Sequence, residues 1–303
     1  MTFPVSIGVQ LPEVERRVPW PELIAMARTA EAVGFDSLWL GDHLLYDLPD
    51  GTPRGPWEVW TSLAALAAAT DRILLGPLVA SLGFHDPAML AKMAATVDGI
   101  SGGRLVLGVG AGWNEREYRA FGLPFDHRVD RFEESFGIVR RLLAGETVDH
   151  VGRHYRVERC LIDPPPVRPG GPPLMVGSIG PRMLGITLPH VRMWNVWFSQ
   201  YGNTPDGLRR VVDRVHGQLR AIGRPVDEVE GTACVYVQTP RGGGRTMGDP
   251  VMSAPPLTGD ASEIAEQLRA MAVPGISHLQ LVVDPIDATS IEWLADVLTM
   301  VRR

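Results

Sequence analysis

Residues 5–41 read VSIGVQLPEVERRVPWPELIAMARTAEAVGFDSLWLG, and this stretch decides the fold class. The run VSIGVQL (5–11) is apolar without alternation, as in a strand that is buried on both faces. PELIAMARTAEAVG (21–34) has apolar residues at helical spacing and ends at a glycine, and DSLWLG (36–41) is a second apolar run. Because a helix separates two buried strands, the stretch predicts a parallel β-α-β unit.

The same alternation of buried strands and helices continues along the chain. Eight such units in 303 residues favour an α/β fold, a closed (β/α)8 TIM barrel formed by residues 1–303 as a single domain. A doubly wound open sheet is the alternative. The predicted strands are residues 5–11, 36–41, 72–80, 104–110, 173–178, 191–198, 233–239 and 278–283. The predicted helices are residues 21–34, 57–70, 87–100, 131–145, 181–189, 204–223, 262–275 and 291–303.

Three connections are too long to be simple turns and are predicted as insertion segments. Residues 41–56 and 240–257 follow the second and seventh strands, at the C-terminal face where barrel enzymes carry their active sites. Residues 146–172 indicate a small hairpin followed by a proline-rich arm. The glycine and proline content of residues 240–257 indicates a mobile segment.

The composition narrows the class of protein. The formal net charge of −6 argues against a general affinity for nucleic acids. The first residues lack the pattern of a secretory signal and no apolar run is long enough to cross a bilayer, so a cytoplasmic protein without membrane contact is expected. The two cysteines, Cys160 and Cys234, make neither a disulfide framework nor a metal-ligand cluster, and no metal site is predicted.

The end of the fourth predicted strand carries Gly108, Gly110 and Gly112 at alternate positions. Alternate residues of a strand point to the same side, so these glycines leave a flat floor at the mouth of the barrel. A planar tricyclic ring fits such a floor, with Trp113 and Asn114 supplying an apolar wall and a hydrogen bond. A glycine-rich strand end that only lets neighbouring elements pack is the alternative.

Asp42 and His43 end the second strand. Adjacent strand residues point in opposite directions, so one of the two can hold a cofactor while the other faces a substrate. An Asp-His pair buried for structural reasons is the alternative.

The segment GSIGPRML (177–184) combines glycines with Ser178 and Arg182 at a proline-marked helix start. Free backbone N–H groups, a hydroxyl and a cation at a helix N-terminus are the groups that bind phosphate. Because the segment follows a late barrel strand, it is a candidate phosphate site, with a purely structural helix start as the alternative.

These motifs belong to longer segments, namely GVQLP (8–12), GFDSLWLGDHL (34–44), WTSLAALAAATDRILLGPLV (60–79), PAMLAKMAATVDGISGGRLVLGVGAGWNEREYRAFG (87–122), RVDRFEESF (128–136), GPRML (180–184) and WN (194–195). Through them nearly the whole chain resembles the luciferase-like (bacterial luciferase) family of flavin- and deazaflavin-dependent oxidoreductases, and most of all its coenzyme F420 branch. The resemblance implies a barrel whose isoalloxazine or deazaflavin ring lies across the strand ends. A small-molecule substrate and a homodimer are also implied.

Carried over residue by residue, the resemblance implies that His43 is a catalytic residue, and Asp42 matches an acid that contacts the ring or its ribityl chain. Leu78 and Val79 match a position where many members have a non-prolyl cis peptide against the ring. The implied substrate pocket contains Gln10, Trp113 and Trp194. The implied cofactor-binding residues are Asp42, Leu78, Val79, Ser81, Val109, Gly110, Asn114, Gly177, Ser178, Ile179, Gly180, Pro181 and Arg182.

Three positions depart from the family pattern. Ala111 stands where the sugar-phosphate dehydrogenase members carry a catalytic glutamate, and Asp47 stands where they carry an aromatic residue, so that activity is not expected. Arg192 replaces the usual acid of a D-G-W-N stretch, which alters the electrostatics of the sixth strand.

The sequence therefore predicts an enzyme that transfers a hydride between coenzyme F420 and a carbonyl compound, an alcohol or an activated double bond. In this hypothesis His43 gives or takes the accompanying proton. An FMN-dependent monooxygenase that uses reduced flavin and oxygen is the first alternative. A barrel that binds a cofactor without catalysis is the second.

Overall fold

The computed structural model describes residues 3–244 and 254–303, and within them parallel strands form a barrel surrounded by helices. This confirms the predicted fold class. The strands are β1 (Ser6–Gln10), β2 (Ser37–Leu40), β3 (Tyr46–Asp47), β4 (Pro53–Arg54), β5 (Leu74–Pro77), β6 (Ala80–Ser81), β7 (Leu107–Gly110), β8 (Val148–Val151), β9 (Arg156–Cys160), β10 (Leu174–Val176), β11 (Met193–Val196), β12 (Glu230–Gln238) and β13 (Ile276–Asp284). The helices are α1 (Trp20–Val33), α2 (Val59–Ala69), α3 (Pro87–Ser101), α4 (Glu115–Ala120), α5 (Arg128–Leu143), α6 (Pro181–Thr187), α7 (Pro205–Ala221), α8 (Ala261–Met271) and α9 (Ala288–Val301).

The main sheet has the strand order β5-β2-β1-β13-β12-β11-β10-β7-β6, and its neighbouring strands are parallel. β5 and β6 are two halves of the third barrel strand, separated by Leu78 and Val79, and the peptide bond between these two residues is cis. The sheet closes because Leu75 forms a parallel bridge to Leu105, just before β7, while β6 pairs with β7. The open-sheet alternative is therefore wrong.

Local signals fix the helix ends. Asp86 accepts hydrogen bonds from the N–H groups of Ala88 and Met89 and so caps α3, whose first residue is Pro87. α1 ends at Gly34, whose φ of 97° is one that residues with side chains rarely adopt. The turn at Gly34 thus ends α1 shortly before β2 begins at Ser37. None of the helices within residues 3–244 and 254–303 is both long and apolar enough to span a membrane.

The insertion segments have structure of their own. Residues 41–56 contain the β3–β4 hairpin, and the hairpin predicted in residues 146–172 is present as antiparallel β8 and β9. α4 was not predicted, since six residues are too few to show helical periodicity. The prediction for residues 240–257 falls partly on residues 245–253, which lie outside the described residues.

Candidate active site

A cavity of about 400 Å³ lies at the C-terminal ends of the barrel strands. Its walls come from residues at or just beyond the ends of β1, β2, β5, β7, β10 and β11. A barrel positions side chains from several strands at this face, so residues far apart in sequence meet there. Nine predicted site residues line it: Asp42, His43, Leu78, Val79, Ser81, Gly110, Trp113, Gly177 and Ser178.

The side chain of Val79 shapes the floor of this cavity. A Cβ placed on Gly108, Gly110 or Gly177 would lie 2.7, 2.9 or 2.6 Å from a methyl carbon of Val79, closer than real Cβ atoms approach. The bare backbone therefore makes room first for the protein's own Val79. This favours the alternative in which the glycines let neighbouring elements pack, although Val79 itself remains a surface of the cavity.

Gly112 lacks a side chain for a different reason. Its φ is 74°, and a Cβ there would lie 2.1 Å from the hydroxyl oxygen of Tyr118 and 2.4 Å from that of Ser81. These two hydroxyls are 2.7 Å apart, and Tyr118 donates a hydrogen bond to the carbonyl oxygen of Ala111 at 3.1 Å. Burial raises the pKa of Tyr118, which keeps its hydroxyl protonated as a donor.

Asp42 joins β2 to the wall beyond β6. Its Oδ2 accepts a hydrogen bond from the backbone N–H of Ser81 at 2.8 Å and lies 3.1 Å from Nε2 of His85. The carboxylate is buried but lines the cavity. The sequence hypothesis that Asp42 contacts a cofactor is thus compatible with its position, and His85 is a partner that the sequence did not indicate.

His43 is paired with a buried carboxylate. Its Nδ1 lies 3.1 Å from Oε2 and 3.2 Å from Oε1 of Glu117, whose side chain is only 1% exposed. Burial alone would lower the pKa of His43, but the hydrogen bond to Glu117 and the negative charges of Glu13, Glu117 and Asp42 together raise it. The imidazole of His43 is therefore more easily protonated in this site than a histidine side chain in water.

Two aromatic rings enclose His43. The ring centroid of Tyr46 lies 4.6 Å from that of the imidazole, and the ring centroid of Trp113 lies 5.8 Å from it in an edge-on arrangement. Trp113 remains 42% exposed, so it stands at the entrance of the cavity. These rings supply an apolar wall beside the titratable group.

The predicted phosphate segment lies only partly at the cavity. Ser178 lines it, and the Ser178 hydroxyl accepts a hydrogen bond from the N–H of Gly180 at 3.3 Å. Arg182 is instead engaged on the surface by Asp130, through a hydrogen bond, and by Glu133 at 3.5 Å. Ile179, Gly180, Pro181 and Arg182 are not among the lining residues.

Two predicted residues point away from the cavity because of strand alternation. Trp194, expected in the substrate pocket, is fully buried outside the barrel interior, where a Cβ on Gly231 would lie 2.7 Å from its ring. Asn195 and Trp197, at the alternating inward positions, line the cavity instead. Val109 is likewise fully buried, between two inward-facing glycines.

Gln10 and Asn114 do not line the cavity. Gln10 holds a side chain in place, and Asn114 holds backbone groups in place. Gln10 is buried and donates a hydrogen bond to the carboxylate of Glu13. Asn114 caps α4 by accepting a hydrogen bond from the N–H of Arg116 at 3.2 Å, and it donates to the carbonyl oxygen of Leu45 at 3.3 Å.

The departures from the family pattern have clear positions. Ala111 lines the cavity and supplies no carboxylate there, whereas Glu13 and Glu117 do. Asp47 accepts a hydrogen bond from Nε of Arg116 at 3.0 Å, near the surface. Arg192 is exposed in the turn that precedes β11.

Several lining residues were not predicted from the sequence. They are Glu13, Tyr46, Phe84, Ala111, Glu117, Met183, Asn195, Trp197 and Gln200, whereas Gly112, which also lines the cavity, was expected as part of the glycine floor. The alternation along β11 could have identified Asn195, but Glu117 stands on a helix that the periodicity did not reveal. No three His, Cys, Asp or Glu side chains in the described parts of the chain are placed to share a metal ion.

Comparisons with known proteins give a consistent result. The sequence profile of the family described as luciferase-like monooxygenase matches residues 1–241. The phthiodiolone/phenolphthiodiolone dimycocerosates ketoreductase of Mycobacterium bovis is 32% identical over 231 residues, which are 70% of this chain and 59% of that protein. The chain thus spans less than two thirds of the length of this curated relative.

Two solved structures show the same fold over nearly the whole length of both chains. An F420-dependent secondary alcohol dehydrogenase, in complex with an F420-acetone adduct, superposes with a TM-score of 0.83 at 19% identity and covers 99% of each chain. The oxygenating constituent of 3,6-diketocamphane monooxygenase from Pseudomonas putida, in complex with FMN, has a TM-score of 0.75 at 18% identity and covers 100% of this chain and 98% of its own.

Proposed function

Because the chain belongs to the luciferase-like monooxygenase family, we propose that it is an oxidoreductase that transfers a hydride between coenzyme F420 and a small carbonyl compound, alcohol or activated double bond. One observation carries the proposal. The cavity combines a floor formed by Gly110, Gly177 and the Val79 side chain packed against them with a histidine, His43, that is paired to a buried carboxylate.

The residues present fit a flavin or a deazaflavin. The backbone at Gly110 and Gly177 and the side chains of Val79 and Leu78 offer an apolar surface to a ring system. The Ser178 hydroxyl and the amide N–H groups of Gln200 can donate hydrogen bonds to ring heteroatoms or to a polyol chain. Asn195 donates to Thr232 and Gln280, so it offers the cavity its amide oxygen as an acceptor. The volume of about 400 Å³ lies within the usual range for small-molecule sites.

The comparisons support a carbonyl or alcohol substrate with F420. The curated relative is named as a ketoreductase, and the alcohol dehydrogenase of the same fold was solved with F420 joined to acetone. Carbonyl reduction and alcohol oxidation are the two directions of one reaction, so both relatives favour the same chemistry. The FMN-bound monooxygenase of the same fold favours a second candidate, an FMN-dependent monooxygenase.

When bound, F420 supplies or accepts two electrons as a hydride. The protein holds the substrate carbon in position, excludes water and moves the proton. His43 gives a proton to the carbonyl oxygen as that oxygen becomes a hydroxyl, and takes it back in the reverse direction. Tyr46 and Trp113 keep water from the side of the cavity where His43 lies.

Titration of the purified protein with F420 and with FMN, followed by fluorescence quenching, tests the cofactor. We expect tighter binding of F420, and turnover of it with members of a panel of ketones, enones and secondary alcohols. Tighter binding of FMN together with oxygen-dependent oxidation would favour the monooxygenase. Binding without any redox change across the panel would favour a non-catalytic barrel.

The homodimer and the cytoplasmic location remain predictions.

A further inference from the structure

Glu117 makes more contacts than a simple partner of His43 needs. Its Oε1 accepts hydrogen bonds from the backbone N–H groups of Leu44 at 2.6 Å and Leu45 at 3.0 Å. The same carboxylate lies 3.1 Å from Nδ1 of His43. One buried group on α4 therefore fixes both the imidazole and the backbone that follows it.

These contacts determine which nitrogen of the imidazole carries a proton. An ionised carboxylate can only accept hydrogen bonds, so a favourable contact requires a proton on Nδ1 of His43. In the neutral ring the remaining lone pair is then on Nε2, and in the charged ring Nε2 carries the second proton. Within residues 3–244 and 254–303, the hydrogen bonds of His43 are made through Nδ1 and none is made through Nε2. His43 also lines the cavity, where a substrate can reach Nε2.

The charged groups around His43 act in one direction. The carboxylates of Glu117, Glu13 and Asp42 are all close enough to favour its protonated form. The rings of Tyr46 and Trp113 are aromatic neighbours of the imidazole. Glu117 contacts the imidazole directly through a hydrogen bond.

We propose that Glu117 is a positioning residue that keeps a proton on Nδ1 of His43, so that Nε2 is the atom that exchanges a proton with the substrate. The catalytic half of this statement rests on the proposed function. The half that concerns the imidazole itself does not, because it can be measured on the protein without any cofactor. A merely structural Glu117, which only ties α4 to residues 44 and 45, would leave the protonation of His43 unaffected.

Nitrogen-15 NMR of the imidazole rings in the full-length wild-type chain tests the first half directly. Above the pKa of His43 we expect Nδ1 to give the shift of a protonated, pyrrole-like nitrogen and Nε2 that of an unprotonated one. The His43→Gln variant identifies the resonances. If the neutral imidazole of His43 in the wild-type chain carries its proton on Nε2 instead, the proposal is wrong, and no Glu117 variant is needed to show it.

The Glu117→Gln variant tests the cause. A glutamine oxygen can still accept hydrogen bonds from residues 44 and 45, but the negative charge is gone. We expect the pKa of His43 to fall and the fixed Nδ1 proton to be lost. Glu115→Gln is the matched control, since Glu115 is an exposed carboxylate on the same helix and lies 3.8 Å from Arg119. It should leave both properties as in the wild type.

The same variants test the catalytic half. In carbonyl reduction, Glu117→Gln should lower kcat by roughly ten- to hundredfold, with cofactor affinity within about twofold of the wild type. The loss of activity with rising pH should begin at a lower pH than in the wild type. In a His43→Gln background the same change should have little further effect, because the two residues act as a unit.

An unchanged pKa and an unchanged tautomer of His43 in folded Glu117→Gln would overturn the proposal, even if the protein reduces ketones with F420. The converse result is distinguishable. If NMR shows the Nδ1 proton and its dependence on Glu117, but no turnover with F420 or FMN occurs, the positioning of His43 stands and the proposed function fails.

Discussion

The methyl groups of Val79 occupy the space that a side chain on Gly177 would fill. A Cβ on Gly177 would lie 2.6 Å from Cγ2 and 2.8 Å from Cγ1 of Val79. Both residues line the cavity, so the absence of one side chain sets the position of the other. The shape of the proposed ring site therefore depends on a contact between two parts of the protein itself.

Gly177→Ala should weaken cofactor binding. The new methyl group would push Val79 toward the cavity, and overpacking of this kind typically costs about 1–3 kcal/mol. If that cost falls on the complex with the ring, affinity decreases by roughly 5- to 150-fold. Equilibrium titration with F420 measures the effect. Gly185→Ala is the control, because a Cβ on Gly185, in α6, meets nothing within 4 Å. Equal affinity of the two variants would show that Val79 does not shape the ring site.

His43→Ala should separate binding from chemistry. Removal of a proton donor at the reacting oxygen lowers kcat by roughly 10²–10⁴-fold, whereas the groups proposed to hold the ring remain. Cofactor affinity should stay close to that of the wild type. His190→Ala, at an exposed site outside the cavity, serves as the control. Turnover by His43→Ala at the wild-type rate would refute the role of His43.

His278 should make the protein less stable in mild acid. It is buried inside the barrel beside Ser37, and burial lowers its pKa to about 4. Between pH 6.5 and 4 the unfolded chain takes up a proton at this residue and the folded chain does not. Acidification therefore removes on the order of 3 kcal/mol of the free energy of unfolding.

Denaturant unfolding at a series of pH values measures this loss. The His278→Asn variant has no titratable group at the position, so its free energy of unfolding should fall less steeply below pH 6.5. Identical slopes for the variant and the wild type would contradict the assignment of a neutral buried imidazole.

Gly217→Ala should stabilise the protein. Gly217 is exposed in the middle of α7, and a Cβ there meets nothing within 4 Å. Alanine in a helix interior is favoured over glycine by about 0.5–1 kcal/mol, so Tm should rise by roughly 1–3 °C. Gly34→Ala is the contrasting variant, since φ at Gly34 is 97°. The Gly34→Ala substitution should lower Tm. A higher Tm for this variant would show that the backbone at the end of α1 can adopt a conformation without strain.

The fold could be predicted from the sequence because its signals are local. Each barrel strand is an apolar run between helices whose ends carry caps, such as Asp86 before α3 and Gly34 after α1. The closed barrel was expected from the number of strand-helix units. α4 escaped prediction because its six residues are too short for a periodic pattern.

The site could be predicted only where it follows directly from a strand end. Asp42, His43 and Ser178 come just after buried strands, whose C-terminal ends meet at one face. The hydrogen bond between Glu117 and His43 depends on how residues 41–56 fold against α4, which no local pattern encodes.

Two predicted site residues do not line the cavity, for equally specific reasons. Trp194 was assigned to the pocket from the resemblance of its segment, but the alternation along β11 directs it outward and its neighbour Asn195 inward. Arg182 was expected to face a phosphate because of its helix start. The acidic residues Asp130 and Glu133 on α5, which are distant in sequence, engage it instead.

Transfer of a labelled hydride tests the central claim most directly. Reduced F420 that carries deuterium at both hydrogen positions of C5 is incubated with the full chain and a panel of small ketones, and the products are analysed by mass spectrometry. We expect an alcohol that carries one deuterium on the carbinol carbon, formed at a rate that falls sharply in His43→Ala. Deuterium-free products, or substrate oxidation that requires FMN and oxygen instead, would contradict hydride transfer from F420.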